Sequence, residues 1–273
     1  MGYLKLGTVQ YSYLFDYTLS DALRRIQGLG FHYVELMTAP PHVWPSEFTK
    51  EKRKHLRTEM GRLGLELVAI NPTFLDINLA SPNPGIRKES VKQILEQITL
   101  AHDLGAQIIV VIAGKRHPLI APSVEDVWKR FAREGVLRCV EHAEKKKVIF
   151  GLENGPSLFI DTAERLLFVL KEVRSHWIKV VFDVANTSLV EPILPAFDRI
   201  KDHVIHVHLS DTDGVKWTHS PVGQGTIAFS GIATKLREMD FSGVSILETT
   251  HREDPDGGIR VSLERLIPLG WRP

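Results

Sequence analysis

The chain has 273 residues, with 34 lysines and arginines against 33 aspartates and glutamates, a formal net charge of +1 and a hydrophobic fraction of 43%. That balance supports a sizeable buried core and argues against a dedicated nucleic-acid surface. The single cysteine, Cys139, rules out an internal disulfide and fits a reducing compartment. No apolar run approaches the ~20 residues of a membrane span, and the opening MGYLKLGTVQYSYL lacks the features of a secretion signal, so the expectation is a cytoplasmic protein without a membrane partner.

Taken in chain order, strand and helix signals alternate eight times. Strands are expected near Leu4–Val9, Tyr33–Met37, Glu66–Asn71, Gln107–Ala113, Val148–Glu153, Lys179–Asp183, Val204–Leu209 and Val244–Glu248. Between them lie stretches with apolar residues at three- and four-residue spacing, such as Leu19, Ala22, Ile26 and Leu29. VKQILEQITLAHDLG and VWKRFAREGVLRCVEHAEKKK behave alike, and Gly30, Gly64, Gly105 and Gly243 punctuate the helix–strand links. No Pro- or Ser-rich linker divides the chain, so one domain over residues 1–273 is expected. Strict alternation implies right-handed crossovers and a parallel sheet. Eight pairs in this length point to an α/β fold closed as a (β/α)8 TIM barrel, with an open doubly wound sheet as the competing architecture. The first strand–helix turn lacks G-x-G-x-x-G, which weakens a dinucleotide-binding reading.

Four consecutive strands of the second half end in metal-liking residues: VIFGLE at Glu153, KVVFD at Asp183, IHVHL with His208, and GVSILE at Glu248. The carboxyl ends of barrel strands are where this fold places its chemistry. Three carboxylates gathered at one rim would repel each other by about 3 kcal/mol per pair at ~5 Å and an effective dielectric of ~20. A divalent cation converts that repulsion into binding. Oxygen-rich ligation with one imidazole suits Mn2+ or Mg2+, with Co2+ and Zn2+ as further options. The competing reading is that each acid caps its strand and pairs with Lys or Arg. His206 shares a strand face with His208 and reads as a lumen-filling residue or one that orients its neighbour by a hydrogen bond.

The segments GLENGPS, FDVANTSL, HVHLSDTDG…HSPVGQGTIAF and VSILETTH resemble the xylose-isomerase-like TIM-barrel superfamily of sugar (phosphate) isomerases and epimerases, which also takes in inosose-processing enzymes and, more distantly, endonuclease IV. The likeness extends to ALRRIQGLGFHYVEL, INLASPNPGIRKESV and LAHDLGAQIIVVIAG, almost the whole chain. The resemblance implies that Glu153, Asp183, His208 and Glu248 hold one divalent metal ion. It also implies that Glu153 and Glu248 are catalytic acid/bases, moving a proton beside a carbonyl through a cis-enediolate. The substrate would be a small sugar, ketose or related polyhydroxy carbonyl compound, with or without a phosphate.

The sequence departs from the pattern in places. D-x-x-H after the sixth strand becomes Asp183-Val-Ala-Asn186, and the arginine six residues after the metal histidine in ketose epimerases becomes Gly214. The histidines that endonuclease IV needs for three metals are missing from INPTFLDINL and VVIAGKRH, which argues against a DNA-repair nuclease. A dehydratase of an inosose or dehydroshikimate-like substrate is the main alternative, since it begins with the same proton abstraction. Asn186, His219, Asn71, His117 and Arg252 are the expected substrate-binding residues, with Arg116 beside His117 as a further cation for a phosphate or carboxylate. Gly223 and Gly225 either present amides to a phosphate or shape a turn. Tyr11, Tyr13, Phe15 and Trp44 either cover the substrate or pack, including against a second copy of the chain in a homo-oligomer.

Overall fold

The computed structural model describes residues 2–72, 77–117, 119 and 122–273. All eight expected strands are present: β1 Leu4–Val9, β2 Tyr33–Thr38, β3 Glu66–Pro72, β4 Ile108–Val111, β5 Ile149–Glu153, β6 Ile178–Asp183, β7 Val204–Leu209 and β8 Val244–Leu247. Each pairs in parallel with the next, and β1 pairs with both β2 and β8, so the sheet closes. The open doubly wound alternative is thereby excluded: this is a TIM barrel. A two-residue ninth strand, β9 Trp271–Arg272, adds to the amino-terminal half of β1 and was not foreseen, being too short to carry a pattern.

The helices between strands are α1 Leu19–Gly28, α2 Lys50–Leu63, α3 Pro84–Leu104, α4 Val124–Val127, α5 Arg133–Lys146, α6 Ala163–Val173, α7 Val184–Ser188, α8 Ile193–Ile200, α9 Phe229–Glu238 and α10 Pro255–Leu266. Local chemistry sets their limits. Thr18, Thr49, Asn83 and Thr162 cap the amino termini of α1, α2, α3 and α6 with side-chain acceptors, which satisfies otherwise orphaned N–H groups. Gly64 and Gly105 close α2 and α3 in the left-handed conformation that an L side chain resists. The long stretch expected as one helix from Val127 onward widens to a π-helix over Trp128–Ala132 before α5. There the buried Trp128 indole donates to Glu172 at 3.1 Å. No helix among the described residues is long and apolar enough to cross a membrane.

Alternation along the strands separates two apolar layers. Leu152, Phe182, Val207 and Leu247 pack outward beneath the helices, in the larger cluster that includes Phe150, Val180 and Leu236. Val9, Met37, Val110, Val181 and Ile246 fill the lumen. The same two-residue period points Glu153, Asp183, His206 and His208 inward. Asp183 and His208 are direct register partners across β6 and β7, so the barrel itself brings them together.

Candidate metal centre and its cavity

At the carboxyl ends of β5 to β8 the side chains of Glu153, Asp183, His208 and Glu248 converge, with one ligand atom from each lying within 4.8 Å of the others. All four are buried. His208 Nδ1 lies 2.8 Å from Glu153 Oε1, 3.2 Å from Glu248 Oε2 and 3.9 Å from Asp183 Oδ2. Asp183 divides its oxygens between two tasks. Oδ1 accepts the Asn186 backbone N–H at 2.6 Å and so caps α7, while the buried Oδ2 has no hydrogen-bond partner. Among the described residues no lysine or arginine pairs with any of the four, so the strand-capping, salt-bridged alternative does not describe them.

The electrostatics follow from burial. Desolvation, reinforced by Glu248, pushes the Asp183 carboxyl up to about 6. Burial likewise raises Glu153. Burial opposes a charged His208, yet Glu248, Glu35 and Glu153 together hold its imidazole well above the ordinary value. The site therefore demands positive charge, and an orphaned carboxylate oxygen aimed at three other oxygen and nitrogen ligands is what a dication would satisfy. The donor set fits a divalent metal.

Glu35, on β2, escaped the sequence reading. It is fully buried, and its Oε2 lies 2.8 Å from His206 Nε2 and 3.2 Å from His208 Nε2. Although burial opposes ionisation, the neighbouring His208 and His206 hold its carboxyl well below the usual range. His206 thus packs in the lumen beside His208, at a ring-centroid distance of 5.3 Å. The signal for Glu35 was the inward parity it shares with Met37 in YVELMT.

A cavity of about 550 Å³ opens above the four residues. Asn71, Asn186 and His219 line it together with Glu153 and Glu248. Asn71 Nδ2 donates to Glu35 Oε1 at 3.0 Å and to Glu248 Oε1 at 3.2 Å. His219 Nδ1 lies 3.0 Å from the Ser210 hydroxyl and 3.4 Å from Glu248 Oε2. Asn186 is largely committed within the protein: its Nδ2 donates to the Asn154 carbonyl, and its Oδ1 accepts the Trp217 indole N–H at 2.6 Å. Tyr11, Met37, Leu158 and Trp217 supply apolar and aromatic wall.

Other expectations are corrected by position. Arg252 does not line the cavity; it is exposed and ion-paired with Asp16 at 2.6 Å. His117 is exposed and outside the lining, where its ring accepts the Leu119 N–H at 3.2 Å. Arg116 pairs with the buried Asp161 at 2.6 Å. These cations therefore do not assemble a phosphate clamp. Of the four aromatics only Tyr11 reaches the cavity; Tyr13 is buried, donating to Asp256 at 2.7 Å. Gly223 and Gly225 shape a turn. The Gly223 N–H donates to Asp211 Oδ2 at 2.9 Å, and a Cβ on Gly225 would collide with the Asp211 carboxylate and the Thr212 carbonyl. In INPTFLDINL, residues 73–76 lie outside those described.

Residues 23–269 match the family described as the xylose isomerase-like TIM barrel. An uncharacterized protein of Methanocaldococcus jannaschii is 26% identical over 250 residues, covering 87% of this chain and 81% of the relative. Fructoselysine 3-epimerase of Shigella flexneri is 23% identical over 259 residues, covering 92% of this chain and 93% of its own. Among solved structures, a D-tagatose 3-epimerase-like protein superposes with a TM-score of 0.85 at 24% identity, covering 97% of this chain and 98% of its own.

Proposed function

Because this chain belongs to the xylose isomerase-like TIM-barrel family, we propose that it is a divalent-metal-dependent epimerase or isomerase of a small ketose-like polyhydroxy carbonyl compound. The observation that carries this reading is the convergence of three buried carboxylates and one imidazole, with Asp183 Oδ2 unpartnered, on the floor of a cavity of sugar size. The sugar 3-epimerases among the relatives support the substrate class.

Glu153, Asp183, His208 and Glu248 would hold the ion, with Mn2+ or Mg2+ the best match to their oxygen-rich donor set. When bound, the ion supplies Lewis-acid polarisation of a carbonyl. The remaining work belongs to the protein. Glu153 and Glu248 both line the cavity, where either carboxylate can take the proton from the carbon between a ketone and a hydroxyl, and the other can return one. Returning it to the other face of that carbon gives epimerisation; returning it to the adjacent carbon gives isomerisation. His219, Asn71 and the second hydrogen of the Asn186 amide offer polar contacts to sugar hydroxyls, and the Tyr11 and Trp217 rings narrow access for water. Lys115 is the one lysine or arginine in the described lining, which favours unphosphorylated substrates over sugar phosphates.

The test is incubation of the Mn2+-loaded protein with free ketoses and their phosphates in D2O. Deuterium at C-3 of an epimeric product is expected, with free ketoses the better substrates. Glu153→Gln and Glu248→Gln each lose at least about 10²-fold in turnover while keeping the wild-type circular dichroism. Normal activity in both variants would contradict the paired-base role. An unsaturated, ultraviolet-absorbing product would instead make the enzyme a dehydratase.

A further inference from the structure

Glu35 accounts for a buried charge that the reaction itself does not use. It comes from β2, reaches across the lumen to β7, and is fully buried. Each of its oxygens is engaged. Oε1 accepts from the Asn71 amide at 3.0 Å, and Oε2 faces His206 Nε2 at 2.8 Å and His208 Nε2 at 3.2 Å. Among the described residues no lysine or arginine pairs with it. A carboxylate only accepts hydrogen bonds, so both imidazoles must present Nε2–H to it. For His208 that choice leaves the other nitrogen, Nδ1, turned toward Glu153, Glu248 and Asp183. The Asn71 amide also touches Glu248 Oε1 at 3.2 Å, so a single carboxylate braces two of the four converging residues, one directly and one through an amide.

We propose that Glu35 is a positioning residue that fixes the tautomer and rotation of His208, so that Nδ1 is the nitrogen offered to the divalent ion. The inference rests on the metal-dependent reading above. Hydrogen bonding to the far nitrogen of a metal-bound histidine commonly changes metal affinity 10–100-fold when removed. Glu35, His206 and His208 also have the composition of a small cation site, with ligand atoms within 4.8 Å of one another. Against that use, Oε1 is already committed to Asn71, and the Oε2 contacts are of hydrogen-bond length.

The experiment has two arms on the full chain. In the first, calorimetric titration of the metal-free protein with Mn2+ gives affinity and stoichiometry for wild type and Glu35→Gln, with thermal melting of both metal-free forms as the fold control. One ion per chain and an affinity lowered at least tenfold in the variant are expected. In the second, which needs no variant, ¹⁵N-edited histidine spectra of the Zn2+-loaded wild type assign His208 as Nε2–H with Nδ1 bound to metal. Equal affinities in two folded proteins, a second ion bound per chain, or His208 metallated through Nε2 each overturns the inference while leaving the metal-dependent reading standing. Wild type that binds no divalent ion overturns both.

Discussion

At the scale of single residues, the cavity wall is decided by a short chain of hydrogen bonds. The Trp217 indole, 52% exposed, donates to Asn186, whose backbone N–H caps onto the Asp183 carboxylate. Trp217 is thus tied to the floor through Asn186, although its ring stands at the mouth. Trp217→Phe keeps an aromatic face but abandons that hydrogen bond, so we expect KM to rise several-fold while kcat stays within about threefold, the pattern of lost ground-state positioning. Steady-state kinetics on the best ketose measure this split. A fall in kcat with unchanged KM would place Trp217 in the chemistry instead. The residues of the floor were legible in the sequence because each stands at or within one residue of a strand's carboxyl end. Glu153, Asp183 and Glu248 stand where an apolar run stops, and a carboxylate there has no packing role to hide behind. Glu35 was not legible in the same way. It sits inside β2 between Val34 and Leu36 with no strand end to mark it, and the parity it shares with Met37 gains meaning only once the lumen-facing side of β2 is known. Its partners, His206 and His208, are more than 170 residues away. Arg252 and His117 failed for the opposite reason: their distance from a strand end was short in sequence, yet the Arg252 loop turns its guanidinium outward to Asp16.

At the scale of elements, the loop after β7 shows how backbone and site are joined. Asp211 is buried and receives the backbone N–H groups of Gly223 and Ile227, folding the Gly223–Ile227 turn against the strand end. Asp211 and Ser220 also exchange backbone hydrogen bonds of 2.8 and 2.9 Å, which closes the intervening loop and delivers His219 and Trp217 to the cavity. A methyl group at Gly225 has no room there. Gly225→Ala should destabilise the fold by roughly 1–3 kcal/mol, the usual range for overpacking, and raise KM by displacing His219. Urea unfolding monitored by circular dichroism measures the first effect. An unchanged midpoint would mean that the loop holds its shape without this turn. Glycine in HSPVGQG pointed more to a turn than to an anion cradle, since a lone G-x-G is weak evidence for a phosphate site. Only the position of Asp211 decides between them, and that contact depends on the fold. The alternation of strands and helices was far more readable, since eight apolar runs at regular spacing leave few other architectures. Helix irregularities such as the π-helix at Trp128–Ala132 were not, because its residues carry the same three- and four-residue apolar spacing as an ordinary helix.

At the scale of the whole molecule, barrel closure makes the site. Glu153 and Glu248 belong to strands separated by β6 and β7, and they meet because β5 to β8 are adjacent and in parallel register around the lumen. Gly151 suits this geometry: a Cβ there would crowd Val181 and Ile108 on the two neighbouring strands, so the strand that carries Glu153 packs closely against them. The apolar lumen beneath, from Val181 to Ile246, keeps the acids in a low-dielectric surrounding where their mutual repulsion is large. A molecule built this way gathers three buried carboxylates around one imidazole and leaves Asp183 Oδ2 without a partner, an arrangement that the proposed cation would stabilise. The most direct test is a crystal grown with Mn2+ and measured at the manganese absorption edge. One anomalous peak per chain is expected, bounded by Glu153, Asp183, His208 and Glu248. Absence of a peak there, or those four side chains turned apart into salt links of their own, would contradict the metal-dependent reading.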